Sequence, residues 1–117
     1  MYISEITHFD ADDQEADVYV SDGKYSVLCY LYPAVKPSIG QTISIVFCFG
    51  CKNLQKTANK TFRIKKQSSY YAYSVTAQVI SSQSVRVGDI IIHIDDIIPA
   101  DITKGDYISF ESLRFDI

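Results

Sequence analysis

The spacing of the apolar residues is the feature that most constrains how this chain folds. No stretch of about 12 residues repeats its apolar positions with the 3.6-residue period of an amphipathic helix. Short runs that alternate apolar and polar residues occur instead, and alternation is typical of β-strands with two distinct faces. The pattern predicts an all-β fold, a small antiparallel β-barrel or sandwich of about six or seven strands with at most one short helix.

The strongest local signal is Asp22-Gly23, which lies between the alternating runs Ala16–Ser21 and Lys24–Tyr32. Asp-Gly supplies the positive φ that a tight hairpin turn needs, so the sequence predicts a hairpin at this position. The second run is apolar on both faces. This indicates a strand that is buried on one side and covered, or functionally aromatic, on the other.

Several other segments are predicted to be strands. Three of them share a glycine followed by Asp or Gln and then a strand-forming run, namely Ile39–Ile45, Val87–His93 and Lys104–Phe110. Glycine can take the turn conformation that precedes a strand, so each is expected to begin one. Longer strands are predicted over Tyr70–Ile80 and Tyr107–Phe115, and the polar segment Cys51–Lys60 is the one place where a helical turn is predicted.

The glycine-led strand starts, the segment Gly105–Phe110 and the aromatic hairpin early in the chain resemble those of small β-barrels of the OB type. The resemblance covers most of the chain and rests on pattern. OB-folds usually have five strands, fewer than predicted here, so a small sandwich stays open as the alternative. The resemblance implies a binding module, because OB-folds present one sheet face and its flanking loops to oligonucleotides, sugars or proteins.

The length of 117 residues predicts a single domain, residues 1–117, built round one core. Apolar residues make up 47% of the chain, which is too many for a disordered protein. No apolar run approaches the ~18–20 residues of a membrane helix, and no signal-peptide pattern is present. We therefore expect a cytoplasmic protein without a membrane partner, whose three cysteines are reduced.

Charged residues are strongly segregated along the chain. Residues 1–22 contain seven acidic side chains and no Lys or Arg, residues 23–88 contain nine basic side chains and no acid, and residues 89–117 are again mainly acidic. If the two termini lie near each other, the molecule has an acidic pole and a basic pole. Opposed poles steer and orient encounters with charged partners.

Motifs for catalysis or metal binding are few. Cys48-Phe49-Gly50-Cys51 is a C-x-x-C, but a redox role needs the first thiol at a helix N-terminus and a zinc site needs two more ligands. His93 lies close to two aspartates, as a general base would, and a strand-surface histidine fits the same pattern. No phosphate-binding loop or nucleophile motif occurs. We predict no catalytic residue, no metal, no cofactor and no enzymatic activity.

The small size, the acidic ends and the lack of catalytic motifs also resemble the small acidic immunity proteins with which bacteria neutralise toxins. The resemblance is one of type, and it implies a non-enzymatic inhibitor that opposes a basic protein partner with carboxylates and tyrosine anchors. The predicted partner-binding residues form the acidic pole: Asp10, Asp12, Asp13, Glu15, Asp95, Asp96 and Asp101.

The alternative hypothesis is single-stranded nucleic-acid binding, because basic residues beside aromatic ones are the combination that such binding needs. Its residues are those of the basic segment, Lys52, Lys56, Lys60, Arg63, Lys65 and Lys66, with Tyr70, Tyr71 and Tyr73 as a stacking platform. The net charge of −3 opposes this hypothesis. The position of the tyrosines distinguishes the two: tyrosines beside carboxylates favour a basic protein, and tyrosines beside lysines favour nucleic acid.

Overall fold

Nine β-strands and no helix make up the regular structure of the computed structural model, which describes residues 1–117. The strands are β1 (Tyr2–Asp10), β2 (Glu15–Ser21), β3 (Ser26–Leu31), β4 (Val46–Lys56), β5 (Arg63–Lys66), β6 (Tyr73–Val79), β7 (Ser84–Val87), β8 (Ile90–Ile94) and β9 (Tyr107–Asp116). The predicted all-β fold is confirmed, with more strands than predicted. The structure holds no helix long and apolar enough to cross a membrane.

Five of the strands close into a small barrel. β9 pairs with β4 along one edge and with β6 along the other, so the order round the barrel is β9, β4, β8, β7, β6 and back to β9. Neighbouring strands run antiparallel, except for β4 and β8, which are parallel. The predicted β-barrel is therefore confirmed.

The three N-terminal strands extend the sheet beyond the barrel. β1, β2 and β3 pair antiparallel, and β3 joins the end of β9 through the parallel pairs Cys29–Phe115 and Tyr30–Asp116. β4 occupies one edge of β9. Along the opposite edge, β6 pairs with the first part of β9, as far as Ser112, and β3 pairs with its end at Phe115 and Asp116. β9 is thus the central strand of a molecule that measures 45 × 24 × 24 Å.

The core runs without a break from the barrel into the extension. Phe110, Phe115 and Ile92 fill the barrel, and Val18 and Val27 are equally buried in the extension. Two isoleucines of the long connection between β8 and β9, Ile98 and Ile102, are also buried with this cluster. The connection therefore packs against the core although it contains no helix or strand.

The hairpin turn predicted at Asp22-Gly23 is confirmed, with a φ of 97° at Gly23. One oxygen of the Asp22 carboxylate accepts the N–H groups of Lys24 and Tyr25, and the other accepts the N–H of Asp89 at 2.8 Å. Asp22 thereby joins the β2–β3 turn to the β7–β8 turn. Burial opposes ionisation of the Asp22 carboxyl, but these backbone donors outweigh it and hold its pKa below the usual value.

The helical turn predicted within Cys51–Lys60 is wrong, because β4 continues through this segment as far as Lys56. Gly50 and Asn53 have positive φ angles of 74° and 55°, and the register against β9 shifts beyond Lys52. A shift of this kind is a β-bulge, which interrupts the alternation by which a strand is recognised in a sequence. Pairing with β9, a contact distant in sequence, decides the structure here.

Two further differences concern strand number. The predicted strand over Ile39–Ile45 is wrong, because only an isolated bridge between Thr42 and Tyr2 precedes β4. Strand β1 was not predicted. Its register against β2 shifts twice, between Ile3 and Glu5 and again further along, so its apolar residues do not alternate regularly. The strands predicted after Gly88 and Gly105 are confirmed as β8 and β9.

Candidate functional site

A single cross-strand row of side chains runs over the extension and the barrel. Paired residues of adjacent strands point to the same side of a sheet, and the observed pairs place Asp17, Tyr30, Asp116, Phe47 and His93 side by side on β2, β3, β9, β4 and β8. Each of these five residues carries a ring or a carboxylate, and the strands that hold them lie far apart in sequence. Register alone therefore assembles this row.

Arg114 lies in the next row and joins two of the rings. Its guanidinium carbon is 4.6 Å from the ring centroid of Tyr30 and 4.9 Å from that of Phe49. Two nitrogens of the guanidinium bond the two oxygens of Asp116, at 2.6 and 3.1 Å. The hydrogen bonds with Asp116 raise the pKa of Arg114. The arginine is therefore held between two aromatic rings by a bidentate ion pair.

We call the surface formed by Tyr30, Phe47, Phe49, His93 and Arg114 the aromatic face. Phe47 is 45% exposed and Phe49 is 51% exposed, and the ring of His93 meets Phe47 edge-on with its centroid 5.7 Å away. Exposed rings beside a fixed arginine form the kind of cluster that dominates protein interfaces, since aromatic residues and Arg are enriched at their centres.

The β2 side of the aromatic face is closed by a carboxylate and two tyrosines. Asp17 is only 7% exposed, and its oxygens accept the hydroxyl of Tyr71 at 2.6 Å and that of Tyr70 at 3.3 Å. The rings of Tyr70, Tyr71 and Tyr30 meet edge-on in succession. Burial and the hydrogen bond to Asp17 raise the pKa of Tyr71.

Tyr30 is fixed by a second carboxylate. Its hydroxyl donates to Glu15 at 2.8 Å, and this hydrogen bond raises the pKa of Tyr30. The exposed Tyr32 lies two residues further along the chain from Tyr30. The tyrosine hydroxyls on this side of the molecule thus point to carboxylates. Three lysine–tyrosine contacts occur elsewhere: Lys24 lies over Tyr25 at 5.5 Å, and Lys66 lies over Tyr70 at 5.9 Å and over the buried Tyr73 at 5.6 Å.

The acidic pole expected from the sequence is divided into two groups. Asp10, Asp12, Asp13 and Glu15 lie together at the β1–β2 turn, where the Asp10 carboxylate accepts the N–H groups of Asp13 and Asp12 and has a lowered pKa in consequence. Asp95, Asp96 and Asp101 follow β8. Strands β3, β9 and β4 separate the two groups, and these are the strands that carry most of the aromatic face.

Asp95 has a defined position beside the aromatic face. Its two oxygens accept the N–H groups of Gly50 and Cys51, at 2.9 and 3.2 Å. Gly50 itself allows close contact between β4 and β9, because a β-carbon at this position would lie 2.6 Å from the β-carbon of Leu113. Asp95 is therefore anchored next to Phe49, whereas Asp96 caps only the N–H of Ile97.

The residues of the basic segment lie at the other end of β9. All six are exposed, and the pairs Lys56–Ile108 and Lys52–Glu111 place two of them along β9. Two adjoining clefts of about 200 and 180 Å³ follow the same strand and share Glu111. Their lining is mainly hydroxyl and amide groups, namely Ser68, Ser69, Ser74, Ser109, Ser112, Asn53, Gln55 and Gln67.

The three tyrosines proposed as a stacking platform do not share one surface. Tyr70 is 56% exposed, whereas Tyr73 is 4% exposed and its hydroxyl accepts a hydrogen bond from the N–H of Leu28 within the core. Tyr71 is half-buried against Asp17. Tyr70 is therefore the one ring of the three that is open to a base.

The C-x-x-C thiols lie on the inner side of β4. Cys48 is buried and donates to the hydroxyl of Ser112 at 3.2 Å, and Cys51 is partly exposed. A hydrogen bond from Cys51 lowers the pKa of Cys48, and the same contact raises the pKa of Cys51. The more accessible thiol is thus the one that resists ionisation. The chain forms no group of three or more His, Cys, Asp or Glu side chains placed to hold a metal ion.

Phe47, Phe49, Arg114 and Asp116 were not singled out as site residues from the sequence. The alternation Phe47-Cys48-Phe49 does contain a signal, because it places two phenylalanines on one face of a strand and a cysteine on the other.

Comparison with known proteins adds no relative: no family model matches the chain, and no curated protein or solved structure matches it significantly.

Proposed function

We propose that this chain is a non-enzymatic protein-binding module and that the aromatic face is the centre of its interface. The observation that carries the proposal is the combination of two half-exposed phenylalanines, Phe47 and Phe49, with Arg114 fixed between rings by Asp116. Rings and an arginine that are already ordered lose little conformational entropy on binding. Such preorganised clusters supply most of the affinity of an interface.

The charge around the aromatic face supports a basic partner. Asp116 neutralises Arg114, whereas Glu15 and Asp17 on one side and Asp95 on the other have no cationic side chain within ion-pair distance. The hydroxyls of the surrounding tyrosines also point to carboxylates. A positively charged protein is therefore steered towards this face, and a polyanion is repelled from it.

An immunity-type inhibitor that neutralises a basic toxin is the biological form we propose for this binding. The inhibitor needs no catalytic group, only a rigid surface with complementary charge. Exposed carboxylates at the β1–β2 turn, Asp12 and Asp13, lie where a bound basic protein would meet them at the rim of the interface. Rim charges act mainly on the association rate.

We infer that the barrel is of the OB type with a permuted strand order. β6, β7 and β8 form a three-stranded antiparallel meander. Next to β8 in the barrel lies β4, which is parallel to it, and β9 closes the barrel by pairing with both β4 and β6. In an OB barrel the parallel partner of the third meander strand comes last in the chain, whereas here it comes first. Ligands of OB-folds contact the second and third meander strands, and His93 lies on the third.

Single-stranded nucleic-acid binding is the second candidate, and the clefts along β9 favour it. The basic strand β5 lies on one side and Lys52 and Lys56 lie on the other, three strand spacings apart, which is about 14 Å. Basic side chains at that separation can lie on either side of a single strand. Glu111 in the floor of the groove and the single open ring, Tyr70, weaken this candidate.

The two candidates are separated by a fluorescence-anisotropy titration with a single-stranded oligonucleotide at moderate salt. We expect no micromolar binding. The variant Lys52→Gln/Lys56→Gln/Lys65→Gln/Lys66→Gln is the control, because all four side chains are exposed. Micromolar binding by the native protein that this variant abolishes would overturn the protein-binding proposal in favour of the second candidate.

A further inference from the structure

We infer that the aromatic face selects arginine over lysine side chains of its partner, an inference that rests on the proposed function. The chain already contains the arrangement it would form. Arg114 lies between Tyr30 and Phe49 with both oxygens of Asp116 on its guanidinium. Ring faces together with a bidentate carboxylate fit a planar guanidinium and not a tetrahedral ammonium.

The positions for an incoming guanidinium are the open faces of Phe47 and Phe49. The two residues are two apart on β4, so their rings project from the same side of the strand and their α-carbons are about 6.7 Å apart. Both rings are half-exposed, so a guanidinium of the partner can stack on either of them. A hydrated ammonium gains less from such a contact.

Asp95 supplies the carboxylate for this position. Asp116 is already used by Arg114, whereas Asp95 is exposed, and its only hydrogen-bond donors are the N–H groups of Gly50 and Cys51. These bonds hold the carboxylate beside Phe49 and leave lone pairs free, since each carboxylate oxygen accepts more than one hydrogen bond. A guanidinium stacked on Phe49 thus reaches an anion that is fixed in place.

The test compares two labelled 12-residue peptides that are identical except that four residues are Arg in one and Lys in the other. Anisotropy titrations at low salt and pH 7.5 measure both against the native protein, the variant Phe47→Leu/Phe49→Leu and the control Tyr2→Leu. Leucine keeps apolar area and removes the ring, and Tyr2 is an exposed ring on β1 away from the aromatic face.

We expect the native protein and Tyr2→Leu to bind the Arg peptide at least fivefold more tightly than the Lys peptide, and the double variant to bind both equally and weakly. Equal binding of both peptides by the native protein, lost in the double variant, would overturn the arginine inference and leave the proposed function standing. Binding of neither peptide, or binding that the double variant retains, would overturn both. Ring-proton shifts of Phe47 and Phe49 in the native protein report the contact independently of either variant.

Discussion

Tyr71→Phe is the substitution whose effect on stability follows most directly from the structure. It removes one oxygen, which donates to Asp17 at 2.6 Å, and keeps the ring contacts with Tyr30 and Tyr70. Asp17 is 7% exposed, and its carboxylate forms no ion pair. The hydroxyl of Tyr71 thus donates the shorter of the two side-chain hydrogen bonds that the buried carboxylate of Asp17 accepts.

A hydrogen bond to a charged group contributes about 1.5–3 kcal/mol, so we expect Tyr71→Phe to lower the free energy of unfolding by about 2 kcal/mol. Tyr70→Phe is the matched control. Its bond to Asp17 is 3.3 Å long and its ring is 56% exposed, so about 0.5 kcal/mol is expected. Urea denaturation, monitored by circular dichroism, measures both losses. The slope of the free energy of unfolding against urea concentration should be the same for both variants and the native protein.

The raised pKa of Tyr71 adds a pH dependence. A group whose pKa is higher in the folded state contributes stability that is complete below its unfolded pKa, which is about 10 for tyrosine, and is lost as the pH rises through the folded value. The native protein should therefore lose stability above about pH 10, and Tyr71→Phe should lose less. A Tyr71→Phe cost below about 0.5 kcal/mol, or a larger cost for Tyr70→Phe, would refute the reasoning.

Two further predictions concern backbone positions. Gly50→Ala should lower the free energy of unfolding, measured in urea, by about 2 kcal/mol or more, because alanine is strained at a φ of 74° and its β-carbon would lie 2.6 Å from that of Leu113. The control Gly40→Ala, with a φ of 86° and open space, should lower it by only about 1 kcal/mol. Equal losses would contradict the steric argument. Asp22→Asn should cost about 1–2 kcal/mol at pH 7 because it leaves the N–H of Asp89 without a carboxylate acceptor. The pKa of Asp22 is lowered on folding, so this difference should be present above about pH 4 and shrink as the pH falls below it; a difference that persists at pH 2 would contradict the assignment.

Local sequence pattern was sufficient where a strand alternates and a glycine marks its start. The hairpin at Asp22-Gly23 and the strands after Gly88 and Gly105 are of this kind. It was insufficient for β4, where the positive φ angles of Gly50 and Asn53 break the alternation and only the pairing with β9 maintains the strand. Non-local pairing of this sort leaves no periodic signal in a single sequence.

The candidate site was only partly predictable for the same reason. The tyrosine excess indicated an interface, and Tyr30 does belong to the aromatic face that we propose as one. The sequence could not show that register places Asp116 opposite Phe47, because a shift of one residue would turn every side chain of a strand to the other face. Nor could it show that strands β3, β9 and β4 separate Glu15 from Asp95.

The most direct test of the central claim is a quantitative capture experiment from the native host. Three immobilised baits are compared in nuclease-treated lysate by mass spectrometry: the native protein, Phe47→Ser/Phe49→Ser, and the four-lysine variant described above. We predict that one basic protein is enriched at least tenfold by the native protein and by the lysine variant, and that Phe47→Ser/Phe49→Ser loses it. Both phenylalanines are half-exposed, so the double variant should fold, and its circular-dichroism spectrum checks this. Equal capture by the native protein and the folded double variant, or capture that only the lysine variant loses, would contradict the claim that the aromatic face binds a basic protein.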